Sequence, residues 1–136
     1  MSLSQTLTTS FKQQLLQGVH DFDTDTFKVA LYTASADLSA TTTVYTATGE
    51  VVGTGYTAGG DATTTSVSVT DTTAFVNFSN VVWTAALTAR GALIYNSSKS
   101  NKAVAVLDFG ADKTSTTTFT VAMPTNSSTS ALIRLP

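Results

Sequence analysis

The sequence predicts a mainly β protein, an antiparallel β-sandwich or jelly-roll-like fold carrying one N-terminal α-helix. Three observations predict it. Threonine, which is β-branched and suits a pleated surface, makes up roughly a fifth of the chain. From residue 26 onward, apolar or alternating segments recur about every 10 residues between turn signals, the spacing of strands in a sandwich. Before residue 20 the apolar positions instead recur every fourth residue, and no later stretch does so, which disfavours a parallel α/β sheet.

The helical segment is placed from about Ser4 to Gly18, within residues 1–20. Leu3, Leu7, Phe11, Leu15 and Val19, with Leu16 beside them, draw one apolar stripe, and Lys12, Gln13, Gln14 and Gln17 face away from it. Ser4 is positioned as an N-cap, and Gly18 is placed to end the helix in a left-handed conformation. A stripe this clear must be covered, either by the sheet of its own domain or by a neighbouring subunit. Leu7, Phe11, Leu15 and Val19 are therefore the candidate protein-interaction residues.

The strands follow in residues 26–136. Thr26 to Thr33 alternates, with Phe27, Val29 and Leu31 on one face and Lys28, Ala30 and Tyr32 on the other. Ala34 to Thr43 reads as a small, polar loop. Val44 to Thr57 is broken by Gly49, Gly53 and Gly55, and Gly59-Gly60-Asp61 marks a turn. Thr65 to Thr70, Ala74 to Phe78, Val81 to Trp83, Ala89 to Tyr95, Ser115 to Met123 and Ala131 to Leu135 read as further strands, and Lys102 to Phe109 as an almost continuous buried one. That makes about seven to nine strands in a single domain over residues 1–136, with no linker or exact repeat.

Composition then limits function. A domain of this length buries roughly two-thirds of its unfolded surface, so it needs no disulfide or metal to fold. Without cysteine, thiol catalysis and cysteine-ligated zinc are excluded. Charged residues are only 12% of the chain, net charge is −2, and the seven basic residues stand apart from each other. Nucleic-acid binding needs a basic patch, and none is present in the sequence. Met1 to Gln14 lacks the basic start and apolar run of a signal peptide, and no apolar stretch approaches the roughly 20 residues that span a bilayer. The expectation is a soluble protein without nucleic-acid or membrane partners.

No motif carries a catalytic or cofactor assignment. Gly53-Thr-Gly55-Tyr-Thr-Ala58 satisfies the loose dinucleotide pattern, but a turn follows where that chemistry needs a helix N-terminus. Asp21-Phe-Asp23-Thr-Asp25 begins like a calcium loop, yet Thr26 and Tyr32 stand where glycine and glutamate are required. These carboxylates are expected to bond turn amides instead. His20, the single histidine, is expected to be structural, because a base in a triad needs an identifiable nucleophile and an orienting carboxylate. Asp61, Asp71 and Asp108 sit in no recognisable acid/base setting, and Asp108-Phe-Gly110 has no accompanying kinase motifs. Asn77, Asn96 and Asn126 fit the glycosylation pattern, as expected by accident in a Ser/Thr-rich chain. Tyr32, Tyr45, Tyr56, Trp83 and Tyr95 are expected to pack in the core with their polar tips bonded at its edge, rather than to form a sugar platform.

Four stretches carry a resemblance: Phe11-Lys-Gln-Gln-Leu-Leu-Gln-Gly-Val-His20, Thr26-Phe-Lys-Val-Ala-Leu-Tyr-Thr33, Glu50-Val-Val-Gly-Thr-Gly-Tyr-Thr-Ala-Gly-Gly60 and Ala89-Arg-Gly-Ala-Leu-Ile-Tyr-Asn96. With Ala103-Val-Ala-Val-Leu-Asp-Phe-Gly110, they cover nearly the whole chain and resemble a group of small virion proteins of tailed bacteriophages and prophages. The resemblance implies a non-enzymatic head-decoration or cement protein without cofactor or metal, assembled in the host cytoplasm onto the outer capsid surface. Its implied partners are the phage major capsid protein and further copies of itself, as a trimer or dimer. The alternative is a receptor- or carbohydrate-binding module of a tail fibre or tail tip.

Overall fold

The computed structural model describes residues 3–125 and 127–136, and these form a mainly β, antiparallel structure with a single helix. Ten strands occur among the described residues: β1 (Thr6–Leu7), β2 (Phe27–Tyr32), β3 (Asp61–Thr63), β4 (Thr65–Thr70), β5 (Thr73–Phe78), β6 (Val81–Trp83), β7 (Thr88–Asn96), β8 (Lys102–Thr114), β9 (Phe119–Val121) and β10 (Ile133–Leu135). The helix α1 is Thr9–Leu16.

A five-stranded sheet in the order β1-β8-β7-β2-β3 forms the centre. A three-stranded sheet, β10-β5-β4, and a β6-β9 pair lie opposite it. The main core fills the space between: Phe27, Val29, Ile94 and Leu107 of the central sheet meet Phe11 of α1, Phe78 of β5, Trp83 of β6 and Phe119 of β9. This is the sandwich-like packing that the alternating segments predict.

The second face of the central sheet is buried too. Ala30, Tyr32, Leu93, Tyr95 and Val106 lie under Leu3, Ala36 and Leu38, with Tyr45 packed alongside. Register explains the assignment to faces. Val29 stands opposite Ile94 and Ala30 opposite Leu93, while Ile94 stands opposite Ala105 and Leu93 opposite Val106. Opposed residues share a face, so each pair enters the same core. A bulge at the Ile94/Tyr95 step leaves Val104 as an extra residue, which also turns into the main core. Burial on both sides is why Ala103 to Leu107 reads as a continuous apolar run rather than an alternating one.

The helix is shorter than its periodicity predicts. Thr8, not Ser4, is the N-cap: its Oγ1 accepts the Phe11 amide at 3.2 Å, and its own amide bonds the Val104 carbonyl at 3.0 Å. The preceding residues are claimed by β-pairing, with Thr6 opposite Val106 and Leu7 opposite Ala105. The buried edge of β8 must find backbone partners, and that demand overrides local helical spacing. Leu3 consequently enters the second core, and Leu7 packs at the rim of the first. The C-terminal expectation holds. Gly18 has φ +73°, its amide bonds the Leu15 carbonyl, and the Val19 amide bonds the Gln14 carbonyl at 3.0 Å, the paired bonds of a Schellman motif.

Three further differences concern extent. β8 runs on to Thr114, β9 is confined to Phe119–Val121, and the 44–57 region forms turns and isolated bridges rather than a strand. Gly53 and Tyr56 bridge one another across a tight turn with Gly55 at φ +91°, so the dinucleotide-like glycines serve a bend.

Candidate interaction surface

The helix and the three-stranded sheet do not close completely over each other. Opposed residues share a face, and Val67 stands opposite Val76, Val69 opposite Ala74, Ile133 opposite Val76 and Leu135 opposite Ala74. Val76 belongs to the core, so all of these point inward. The sheet nevertheless outreaches the helix. Val67, Val69 and Leu135 remain 48%, 67% and 57% exposed, and Leu16 on the last turn of α1 is 90% exposed.

The result is an open apolar groove between α1 and β10. Leu7, Phe11, Leu15 and Leu16 form one wall, Ile133 and Leu135 the other, and Lys12 and Arg134 flank it. Beyond Leu15 it continues over Val67 and Ala74. Scattered apolar residues are ordinary on a protein surface, whereas a contiguous strip rimmed by basic side chains is a candidate contact site.

The four candidate residues separate here. Leu7 and Leu15 line the groove half-buried, and Phe11 forms its floor. Burying a phenyl ring contributes about 1.5–3 kcal/mol, so Phe11, with no exposed surface, is committed to its own core. Of the two covers open to the stripe, its own sheet takes this ring. Val19 lies past the helix end and does not line the groove. Leu16 was legible as a neighbour of the stripe and Ile133 and Leu135 as a terminal strand, but not their union, because the groove joins elements more than a hundred residues apart.

Two networks occupy the principal buried polar side chains internally, while the buried Asn77 Oδ1 has no hydrogen-bond partner. Asn96, fully buried, donates from Nδ2 to His20 Nδ1 at 3.0 Å and to Asp25 Oδ2 at 2.7 Å. His20 Nδ1 is thereby an acceptor, so Nε2 carries the proton and donates to Gln14 Oε1 at 2.9 Å. Lys99 Nζ closes the chain on Asp25 at 2.8 Å. This network ties the end of α1 to the end of β7. The Asp21 and Asp25 carboxylates also accept the Asp23 and Asp21 amides, as expected of turn aspartates.

Burial, aided by Lys102 and Lys99, holds the His20 pKa below its ordinary value against the opposing pull of Asp25. The folded state thus keeps His20 neutral while the unfolded chain takes up a proton near about pH 6.5, so stability falls as pH drops through that range. Thermal melts are expected to show this loss between about pH 7 and 5, and His20→Gln is expected to flatten it. An unchanged slope in the variant assigns the loss to another group.

A second network surrounds Glu50, the one glutamate. Its buried carboxylate accepts Tyr45 Oη at 2.5 Å, Tyr56 Oη at 2.6 Å and the Gly59 amide at 2.8 Å. Tyr95 Oη donates to the Gly59 carbonyl, and Tyr32 Oη to the Thr46 carbonyl at 2.6 Å. Burial and the Glu50 charge push all four phenols above their usual range. Tyr32, Tyr56, Trp83 and Tyr95 are buried and Tyr45 stacks on Tyr95, so these aromatics pack inside, and the four tyrosine hydroxyls are bonded as expected. Asn77 is half-buried, Asn96 has no exposure, and Asn126 lies outside the described residues.

No protein-family profile, curated protein or solved structure matches this chain.

Proposed function

We propose that this protein is a structural component of a tailed-bacteriophage virion, a capsid decoration or cement protein that binds the outer head surface without catalysing a reaction. The groove between α1 and β10 carries the reading. It offers Leu16 and Leu135 as exposed anchors on a well-packed scaffold, with Lys12 and Arg134 at its rim to orient a partner. The resemblance of five sequence stretches to phage virion proteins names that partner as the major capsid protein. The two most elaborate polar networks support a scaffold role, since both carboxylate oxygens of Glu50 and both ring nitrogens of His20 are engaged within the fold. The tail-tip carbohydrate reading draws on an aromatic platform, and burial of Tyr32, Tyr56, Trp83 and Tyr95 weighs against it.

Counting this chain against the major capsid protein in purified particles tests the proposal. A ratio of order one per capsid subunit, or a small fraction of it, is expected, together with lower heat tolerance of particles lacking the protein. A handful of copies per particle moves it to the tail. Leu16→Asp tests the groove directly. It is expected to cost no more than about 1 kcal/mol, from weaker helix propensity and a carboxylate at the helix C-terminus, because Leu16 is otherwise solvent-exposed, and to weaken particle binding about tenfold or more. Undiminished binding removes the groove from the capsid contact.

A further inference from the structure

The sheet edges are not equally protected. Most edge strands are short: β1 has two residues and β3, β6, β9 and β10 have three each. β8 extends beyond β1, but its free stretch carries Asp108, Asp112 and Lys113 and is bent at Gly110, φ +82°. Short strands, charges and bends are how natural sheets discourage edge-to-edge pairing. β4 has none of them. It is a six-residue edge, Thr-Ser-Val-Ser-Val-Thr, without charge, proline or glycine, and is paired only with β5.

The hairpin fixes which groups are free. Asp71 and Thr72 form a two-residue loop closed by Thr70 opposite Thr73. That closing pair exchanges both backbone bonds, and the pattern then alternates. Ser66, Ser68 and Thr70 therefore turn their N–H and C=O groups toward β5, while Val67 and Val69 turn theirs away from the sheet. Their side chains are also the exposed apolar ones on the inward face.

We infer that β4 pairs antiparallel with β4 of a second copy across a two-fold axis at Ser68, joining two three-stranded sheets into one of six. The strand is complementary to itself in this register. Val67 faces Val69 of the partner, and Val69 faces the partner's Val67, so the outward backbone groups of both residues are satisfied and four valines meet on one face. Ser68 faces its own counterpart on the other. Asp71 falls opposite Thr65 of the partner subunit, so no like charges meet. A two-fold axis satisfies both edges at once, whereas a three-fold arrangement cannot pair an edge with itself. Of the trimer and dimer that the sequence leaves open, this geometry selects the dimer. The inference stands independently of capsid binding, because the pairing needs only this chain.

Sedimentation equilibrium of the purified protein, without particles, tests it. The expected mass is twice the 14.1 kDa of the chain. Val67→Pro removes an amide that bonds nothing within the sheet, a position where an edge strand tolerates proline, and is expected to give a folded monomer. Val69→Asp, placed where the partner's Val67 packs, is expected to do the same and serves if the proline variant does not fold. In the wild type, the Val67 and Val69 amides are expected to exchange with solvent about tenfold or more slowly than in a monomeric variant. A wild-type monomer, a trimer, or a dimer that survives in a folded variant overturns the inference. Leu16→Asp is expected to remain dimeric, so loss of particle binding and loss of self-association are separate results.

Discussion

Gly60→Ala is expected to cost more than about 4 kcal/mol, enough to leave little native protein from a domain whose total stability is about 5–15 kcal/mol. A Cβ at this position would lie 1.8 Å from the Val29 carbonyl oxygen and 2.6 Å from its carbon. Those are backbone atoms of β2, which is held by β7 on one side and β3 on the other, so the obstruction cannot swing aside. Gly60 also sits at φ +77°, where a side chain adds strain. Gly18→Ala is the control. It has a similar φ of +73° with nothing within 4 Å, so only the conformational strain of about 1–2 kcal/mol is expected. Urea unfolding of both variants measures the difference, and equal losses refute the steric argument.

Glu50→Ala is expected to cost about 3–5 kcal/mol by the same measurement. Removing the carboxylate strands the Tyr45 and Tyr56 hydroxyls and the Gly59 amide, and each buried group left without a partner costs about 1–3 kcal/mol. The upper end is moderated because Tyr45 is half-buried and reaches water more readily. Glu50→Gln keeps one acceptor oxygen but sets an N–H₂ group against a hydroxyl, so about half the loss is expected. A loss below about 1 kcal/mol for Glu50→Ala means the phenols find other partners and the network is expendable.

Both substitutions strike the segment that runs along the edge of β2, the part least legible in the sequence. The strands were readable where burial follows a simple period. β4 and β5 alternate, and β2 and the first half of β8 are dense in apolar residues, so their positions were expected within a residue or two. That edge segment has no period of its own. Val51, Tyr56 and Glu50 are held by bonds to residues such as Leu31, whose backbone bonds both the Val51 amide and the Tyr56 hydroxyl. A single glutamate among tyrosines in a chain with few charges was the available signal, and it becomes specific only when the fold brings Tyr45 and Tyr56 to the two carboxylate oxygens.

The start of α1 was misplaced for a related reason. Leu3, Leu7 and Phe11 are spaced like a helix, yet the first two belong to extended backbone, Leu7 opposite Ala105 far downstream and Leu3 bridged to Leu38. The groove was half visible, through Leu7, Phe11 and Leu15. Its other wall, Ile133 and Leu135, reads in sequence as an ordinary terminal strand. That Val67 and Val69 remain uncovered is likewise a matter of how far one sheet outreaches a helix, which no alternation of letters encodes.

The pairing of Thr6 with Val106 has a consequence for biosynthesis. β1 emerges from the ribosome about a hundred residues ahead of the strand it joins, so its place in the architecture does not exist until Val106 has been added. Until then β1 has no edge to join and Phe11 no pocket to enter. Nascent chains cut short before Val106 should therefore remain protease-sensitive throughout, and resistance should arise late and abruptly rather than by stages, as expected when distant contacts dominate a topology.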